Sequence, residues 1–381
     1  MKKHKKSYDL IIVTGEPFPV GLAATNRLLC YSTALAKTKK VLVMTYNAPY
    51  NCQSDSGSFE GVDFLYMHKK CNRPARIKRL FLLLHRYIKL CFLLLFIFKS
   101  KSILYLSRKS LYAFIIKLIS VLKSSRFYRE MSEFPKYTNK LKQQVARYTN
   151  KIFDGLIVIS NELENSIKPY TSKKSSIFRL PVLVQMSRFE KYGSVDKKNF
   201  AFYCSGGNIE RDGLLDTLNG FLLYKQTADT DIKLEIATPI NLNDKYHRDA
   251  MDIISAHPES FKYLGPLPTT SIPQKLIEAS VLLLTPHQNY QSKGFPTKLG
   301  EYLASGSPII CSAIDDLYEQ IPSTIVRFVA PNSPEDVSKA LEQILNNKEK
   351  AEELGLSGRQ WVENNYTMIN YTSPMIDFLQ I

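Results

Sequence analysis

The chain lacks the residues that would staple it or carry it through a bilayer. Its six cysteines, Cys30, Cys52, Cys71, Cys91, Cys204 and Cys311, form no CxxC pair and no metal-type spacing. That excludes a disulfide framework and a zinc module and points to a reducing compartment. The longest apolar run, Leu90–Phe98, has nine residues, about half of what a transmembrane helix needs. Arg86 and Lys89 interrupt any longer reading. The opening Met1-Lys-Lys-His-Lys-Lys has the charge of a signal n-region, but Leu10–Val13 is too short for an apolar h-region, so no secretion signal is expected. With 44% hydrophobic and 23% charged residues, the chain is neither disordered nor of low complexity. At about 150 residues per domain, 381 residues imply two domains.

A local absence says more. From Phe64 to Arg129 there are sixteen Lys or Arg and no Asp or Glu, so this block carries the whole net charge of +16. It is also the most apolar part of the chain. On a helical wheel over Arg76–Phe98, Arg76, Lys78, Arg79, His85, Arg86 and Lys89 fall on one half, and Leu80, Phe81, Leu84, Ile88, Cys91 and Leu95 cluster on the other. A solvated helix face normally mixes signs of charge. Basic plus apolar therefore points to an anionic membrane surface, and nucleic acid is not expected as a partner. A surface helix packing its apolar stripe on a sheet is the plainer reading of the same wheel.

Apolar strands alternate with helical periodicity from the start. Tyr8–Thr14 is a strand, Gly15–Gly21 a loop, Leu22–Lys37 a helix and Val41–Thr45 a strand, followed by strands at Ile103–Ser107, Phe127–Met131 and Gly155–Ser160. This order begins a doubly wound parallel sheet. The alternation pauses over Arg179–Asn199, where a domain boundary is expected. A second set then follows: strands at Phe200–Cys204, Ile232–Ala237, Phe261–Leu264, Val281–Thr285, Ser307–Ser312 and Ile325–Val329, with a helix over Gly213–Lys225. The fold class is α/β, with two Rossmann-like doubly wound domains facing across a cleft. The expected division is 1–185, 186–365, and a C-terminal helix at 366–381 returning to the first domain.

After the strand ending at Thr285 comes a polar loop, then a helix expected to start near Pro296. Its first N–H groups, of Thr297, Lys298 and Leu299, with the Lys298 charge beside them, make an anion site in physical terms. Glu301, one turn further in, could accept from a vicinal diol such as a ribose, or could simply answer the helix dipole. In the first domain Glu130 and Glu133 follow a strand; one of them could position or deprotonate a hydroxyl, or both could answer the basic block that ends at Arg129. His287 reads as structural. Asp229-Thr-Asp231 looks like a metal-binding DxD but precedes its strand, and reads as a solvated turn.

The string GFPTKLGEYLASGSPII (294–310) resembles the donor-binding signature of the retaining glycosyltransferases of family 4, which have the GT-B fold. PFPVGLAATNRLLCYSTALA (17–36) resembles that family's N-terminal glycine loop and first helix, and Tyr128–Pro135 is similar to its E-x-x-E-x-P segment. The resemblance implies a donor site of Gly294, Phe295, Pro296, Thr297, Lys298, Leu299 and Glu301, with Glu301 on the ribose. Ser205, Gly206, Gly207 and Asn208 would lie along the pyrophosphate, with Arg211 standing where the family usually has Lys. Gly21 and Arg27 would serve an acceptor or phosphate loop, and Glu130 and Glu133 the catalysis. Where the family has a first acid, separated from the second by seven residues, this chain has Lys293; Gln288, Asn289 or Gln291 could replace its contact to the sugar. Gly21-Leu22 stands where the family often has two glycines.

The implied activity is retaining, metal-independent sugar transfer of hexosyltransferase type, with no cofactor beyond the nucleotide-sugar substrate. The acceptor would be lipid-linked or saccharide, in polysaccharide or lipopolysaccharide assembly, with the enzyme peripheral on the cytoplasmic membrane face. Two rivals stand beside it. One is a GT-B sugar-nucleotide epimerase, which would need no membrane; the other is a non-catalytic membrane-surface or nucleic-acid-binding protein, kept open by Lys293.

Overall fold

The computed structural model describes residues 6–21, 23–46, 54–68, 76–107, 109–133, 137–193, 195–287, 296–314 and 317–381. The chain forms two compact units, one of Met1–Leu183 with Met368–Ile381 and the other of Val184–Thr367. The boundaries thus fall at 183/184 and 367/368.

In the first unit the apolar runs become β1 (Lys6–Thr14), β2 (Val41–Thr45), β3 (Ser56–Phe59), β4 (Val62–Tyr66), β5 (Phe98–Leu106), β6 (Arg126–Met131), β7 (Gly155–Val158) and β8 (Ser176–Arg179). They form an eight-stranded sheet in the order β3-β4-β2-β1-β5-β6-β7-β8. All its pairs are parallel except the β3–β4 hairpin. The helices between strands are α1 (Ala23–Ala36), α2 (Arg76–Phe92), α3 (Ser110–Leu122), α4 (Lys140–Tyr148) and α5 (Asn161–Ile167). β3, β4 and β8 were not expected from the sequence.

The basic helix differs from its wheel. α2 ends at Phe92, a single π turn covers Leu93–Ile97, and β5 begins at Phe98. Tyr87, Leu90 and Leu94 are buried, whereas Leu84 and Ile88, read from the sequence as the packing stripe, are exposed. The buried face thus lies on the side of the wheel that carries Arg76 and Arg79.

The second unit holds α6 (Ser187–Glu190), β9 (Lys198–Cys204), α7 (Leu214–Thr227), β10 (Lys233–Ala237), α8 (Lys245–Ala256), β11 (Phe261–Tyr263), α9 (Ile272–Glu278) and β12 (Ala279–Leu284). It continues with α10 (Thr297–Ala304), β13 (Ile309–Ser312), α11 (Leu317–Gln320), β14 (Arg327–Val329), α12 (Pro334–Leu345) and α13 (Lys348–Asn365). Its six strands are all parallel, in the order β11-β10-β9-β12-β13-β14. Each strand expected in this half is present. Strand order reverses between β1 and β5 in one sheet and between β9 and β12 in the other, and ligands of open α/β sheets bind outside the carboxyl ends at such points.

The chain then re-enters the first unit as α14 (Thr372–Leu379). Met375 and Leu379 are fully buried with Leu10, Ile12 and Leu28, and the Ser102 hydroxyl donates to the Leu379 carbonyl at 2.6 Å. α14 is therefore part of that core. Met375→Ala is expected to destabilise the first unit by about 2–5 kcal/mol, measured by urea unfolding; a change below ~1 kcal/mol would show that α14 is not a core element.

Candidate functional site

The switch point of the second sheet is built around one buried carboxylate. Asp212 is 3% exposed and lies in the loop between β9 and α7. Its Oδ2 accepts from Ser205 Oγ at 2.6 Å and from Lys298 Nζ, and its Oδ1 accepts from Arg211 Nε at 3.1 Å. Burial would raise its carboxyl, but Lys298, the Ser205 hydroxyl and Arg211 more than offset this and hold it below the ordinary value. Ser205 Oγ also accepts from the Gly207 N–H, and Asn208 Oδ1 from the Arg211 N–H, both at 3.3 Å. Ser205, Gly207, Asn208, Arg211 and Lys298 thus form one connected group. Among them Asp212 was not singled out from the sequence; its only signal there is its place in Arg-Asp-Gly.

Gly213 closes the loop and fits because it is glycine. Its φ is +70°, and a Cβ would lie 1.7 Å from the Thr285 carbonyl oxygen. Thr285 Oγ1 donates to the Gly213 carbonyl at 3.0 Å, and the His287 N–H to the Arg211 carbonyl at 3.1 Å. The exit of β12 is thereby laced to the exit of β9. His287 Nε2 sits 3.0 Å from Asp216 Oδ2 in the first turn of α7. Asp216's carboxyl is raised by burial, with His287 pulling it back. His287 therefore serves as an internal brace.

α10 begins one residue later than expected, with Pro296 as its N-cap and Thr297 first in the helix. The Leu299 N–H donates to the Pro296 carbonyl at 2.9 Å, so the expected anion contact of Leu299 is corrected: that donor is already satisfied. The Tyr302 hydroxyl accepts from the Cys204 N–H at 3.1 Å and anchors the helix to the end of β9. Glu301 is gripped by Arg188 Nη1 from α6, while Arg188 Nη2 donates to the Thr269 carbonyl at 3.2 Å. Gly294, Phe295, Gln288, Asn289, Gln291 and Lys293 lie outside the described residues. Asp229 and Asp231 precede β10, at the edge of the sheet away from this site, where Asp231 accepts from Asn199 at 2.5 Å.

In the first unit, Arg27 and Glu130 hold each other. Arg27 Nε and Glu130 Oε1 are 2.5 Å apart, with both side chains under a tenth exposed. Tyr31 donates to Glu130 Oε2 at 2.8 Å, and Arg27 donates to the Leu180 and Pro181 carbonyls. Burial, and then the Glu130 charge, push the Tyr31 hydroxyl well above its ordinary pKa. Arg27 and Glu130, expected to serve a phosphate loop and the acceptor, thus also hold each other and the Leu180 and Pro181 carbonyls inside the unit. Glu133 lies just past β6 and is half-buried. At Gly21 a Cβ would lie 2.1 Å from Thr25 Oγ1, so glycine is required there by α1 itself.

Residues 189–361 match the family described as Glycosyl transferases group 1. Solved structures resemble the whole chain. Sucrose-phosphate synthase from Thermosynechococcus elongatus aligns at 14% identity and TM-score 0.73, over 99% of this chain and 98% of that one. HepE from Anabaena, in complex with UDP, aligns at 10% identity and TM-score 0.70, over 98% and 99%. Trehalose-6-phosphate synthase, studied with bisubstrate glycomimetics for glycosyl transfer with retention, aligns at 12% identity and TM-score 0.71, over 98% and 99%. No curated protein matches in sequence. The fold is thus GT-B, the second unit carries a group 1 glycosyltransferase domain, and the chain is an enzyme of glycosyl transfer.

Asp212's carboxyl is held below 3.8 in the folded chain, so the unfolded chain takes up the proton first as pH falls. Its contribution is present above about pH 4 and is lost below. Asp212→Asn is expected to lower the melting temperature near neutrality and to flatten the acid limb, checked by thermal melts from about pH 7 to about pH 3. In the first unit, Arg27→Met leaves Glu130 buried without its cation and is expected to cost about 3–5 kcal/mol. Adding Glu130→Gln should recover part of that loss in urea unfolding.

Proposed function

We propose that this glycosyltransferase is a retaining, metal-independent enzyme that moves a sugar from a nucleotide donor to a lipid-linked or saccharide acceptor at a membrane surface. Cell-surface polysaccharide or lipopolysaccharide assembly is the setting in which such an acceptor occurs. The observation that carries the reading is the convergence of Arg211 and Lys298 on Asp212 beside the Ser205–Asn208 turn. Two cations, a turn presenting backbone N–H groups and the first turn of α10 suit a diphosphate. HepE, of the same fold, is in complex with UDP.

In this reading a phosphate oxygen shares Lys298 and Arg211 with Asp212. As the sugar leaves, negative charge grows on the diphosphate and those cations meet it. Glu301 receives the ribose hydroxyls, and Arg188, anchored at the Thr269 carbonyl, fixes the direction of its carboxylate. The acceptor attacks on the face from which the nucleotide departs, in line with the likeness to trehalose-6-phosphate synthase. Glu133, half-buried just past β6, is the acid of the pair assigned to the acceptor hydroxyl. The acid-free block of sixteen bases draws the enzyme to anionic lipid.

A thermal-shift panel with UDP, GDP, CDP and their sugars, without added metal, tests the donor site. One nucleotide family should stabilise the protein, by about 2.7 kcal/mol at a hundred times its Kd. Glu301→Ala and Lys298→Ala should each abolish the shift. Stabilisation by no nucleotide, or only with a divalent metal, would overturn the reading.

A further inference from the structure

Thirteen of the nineteen large apolar side chains exposed among the described residues lie on α2 with its π turn, on α3 and on α4. α3 is the extreme case. Leu111, Phe114, Ile115, Leu118, Val121 and Leu122 are all exposed and recur with helical spacing along its outer face. Its inner face buries Ala113, Ile116 and Ile119 in the same core cluster that takes Tyr87, Leu90 and Leu94 of α2. The outer stripe of α2 and its π turn, Leu84, Ile88, Phe92 and Phe96, therefore looks out from the same side of the sheet. Tyr87 and Tyr112 stack where the two helices meet. A water-facing helix does not carry such a stripe without a partner.

Charge selects the partner. α3 is bracketed by Lys109 at its N-cap and Lys123 at its C-cap, and its own Lys117 pairs with Asp154 at 3.1 Å. The interval from Phe64 to Arg129 contains no acid. A second copy docking through this face would oppose like charges, whereas anionic lipid offers an apolar interior below a negative surface. α3 is about 20 Å long, too short to cross, and its inner face belongs to the core. It can only lie in the plane of the interface.

We infer that α3 is the membrane-inserting element: its outer stripe sinks into the acyl boundary, α2 flanks it, and Lys109 and Lys123 sit at the headgroups. The inference rests on the membrane reading above and gives it an orientation, with the sheet face covered by α2 and α3 turned toward the lipid.

The test is co-sedimentation with vesicles of phosphatidylcholine mixed with phosphatidylglycerol, compared with phosphatidylcholine alone. The native protein should pellet with the mixed vesicles. Leu118→Glu/Leu122→Glu and Leu118→Lys/Leu122→Lys should each reduce vesicle affinity about tenfold or more. The Lys pair is decisive because it adds positive charge and removes only apolar surface. Both positions are exposed, and circular-dichroism melts check that folding is kept. Phe114→Trp supplies a reporter in an otherwise native face, and its emission should shift to the blue with mixed vesicles. If the native protein pellets and both pairs pellet equally, with no blue shift, the α3 assignment falls while the membrane reading stands. If the native protein never pellets, both fall. A native dimer made monomeric by the substitutions would assign the face to a second copy and overturn the proposal.

Discussion

A single carboxylate organises the second unit's switch point. Asp212 ties Lys298 of α10, Arg211 of its own loop and the Ser205 hydroxyl into one group. Without that charge the two cations would repel each other and the loop would lose its centre. Almost fully buried, Asp212 can hold its charge only because those partners surround it. The arrangement keeps two cations beside a glycine turn, where the proposed diphosphate would find them. Preorganisation of this kind costs stability at assembly and lowers the reorganisation needed at the moment of reaction.

The first unit places a related device at its own core. Arg27 comes from α1 and Glu130 from β6, and the Leu180 and Pro181 carbonyls accept from the two Nη atoms of the guanidinium. Here every partner is internal. The contrast between the units lies in exposure: the Arg27–Glu130 pair is sealed, whereas Lys298 and Arg211 keep a quarter to a third of their side chains at the surface. A sealed pair fixes geometry, and a partly open one can also meet a ligand.

Much of the fold was legible because buried parallel strands read as continuous apolar runs, as in Tyr8–Thr14 and Val281–Thr285. The β3–β4 hairpin escaped because Ser56–Phe59 is polar, mostly exposed and only four residues long. α2 misled because apolar residues also lie beside its basic ones: Tyr87, Leu90 and Leu94 are the buried set, while Leu84 and Ile88 of the plainer stripe face outward, and helical spacing alone cannot choose between them. At the site, the α10 signature contains Lys298, which the fold brings to Asp212 beside the Ser205–Asn208 turn. Asp212 was hidden because its role comes from burial between groups far apart in sequence, 86 residues in the case of Lys298. The pairing of Arg27 with Glu130 was hidden for the same reason, since 103 residues separate them and neither position alone shows the other's charge.

The return of residues 368–381 to the first unit sets the order in which a ribosome can complete this protein. Residues 184–367 form one uninterrupted unit and can finish folding as soon as they emerge. The unit begun first cannot close, because Met375, Leu379 and Ile381 fill its core beside Leu10 and Leu28. At about 5–20 residues per second, the nascent first unit carries an open apolar groove for roughly ten to forty seconds. During that interval it is the natural client of a chaperone.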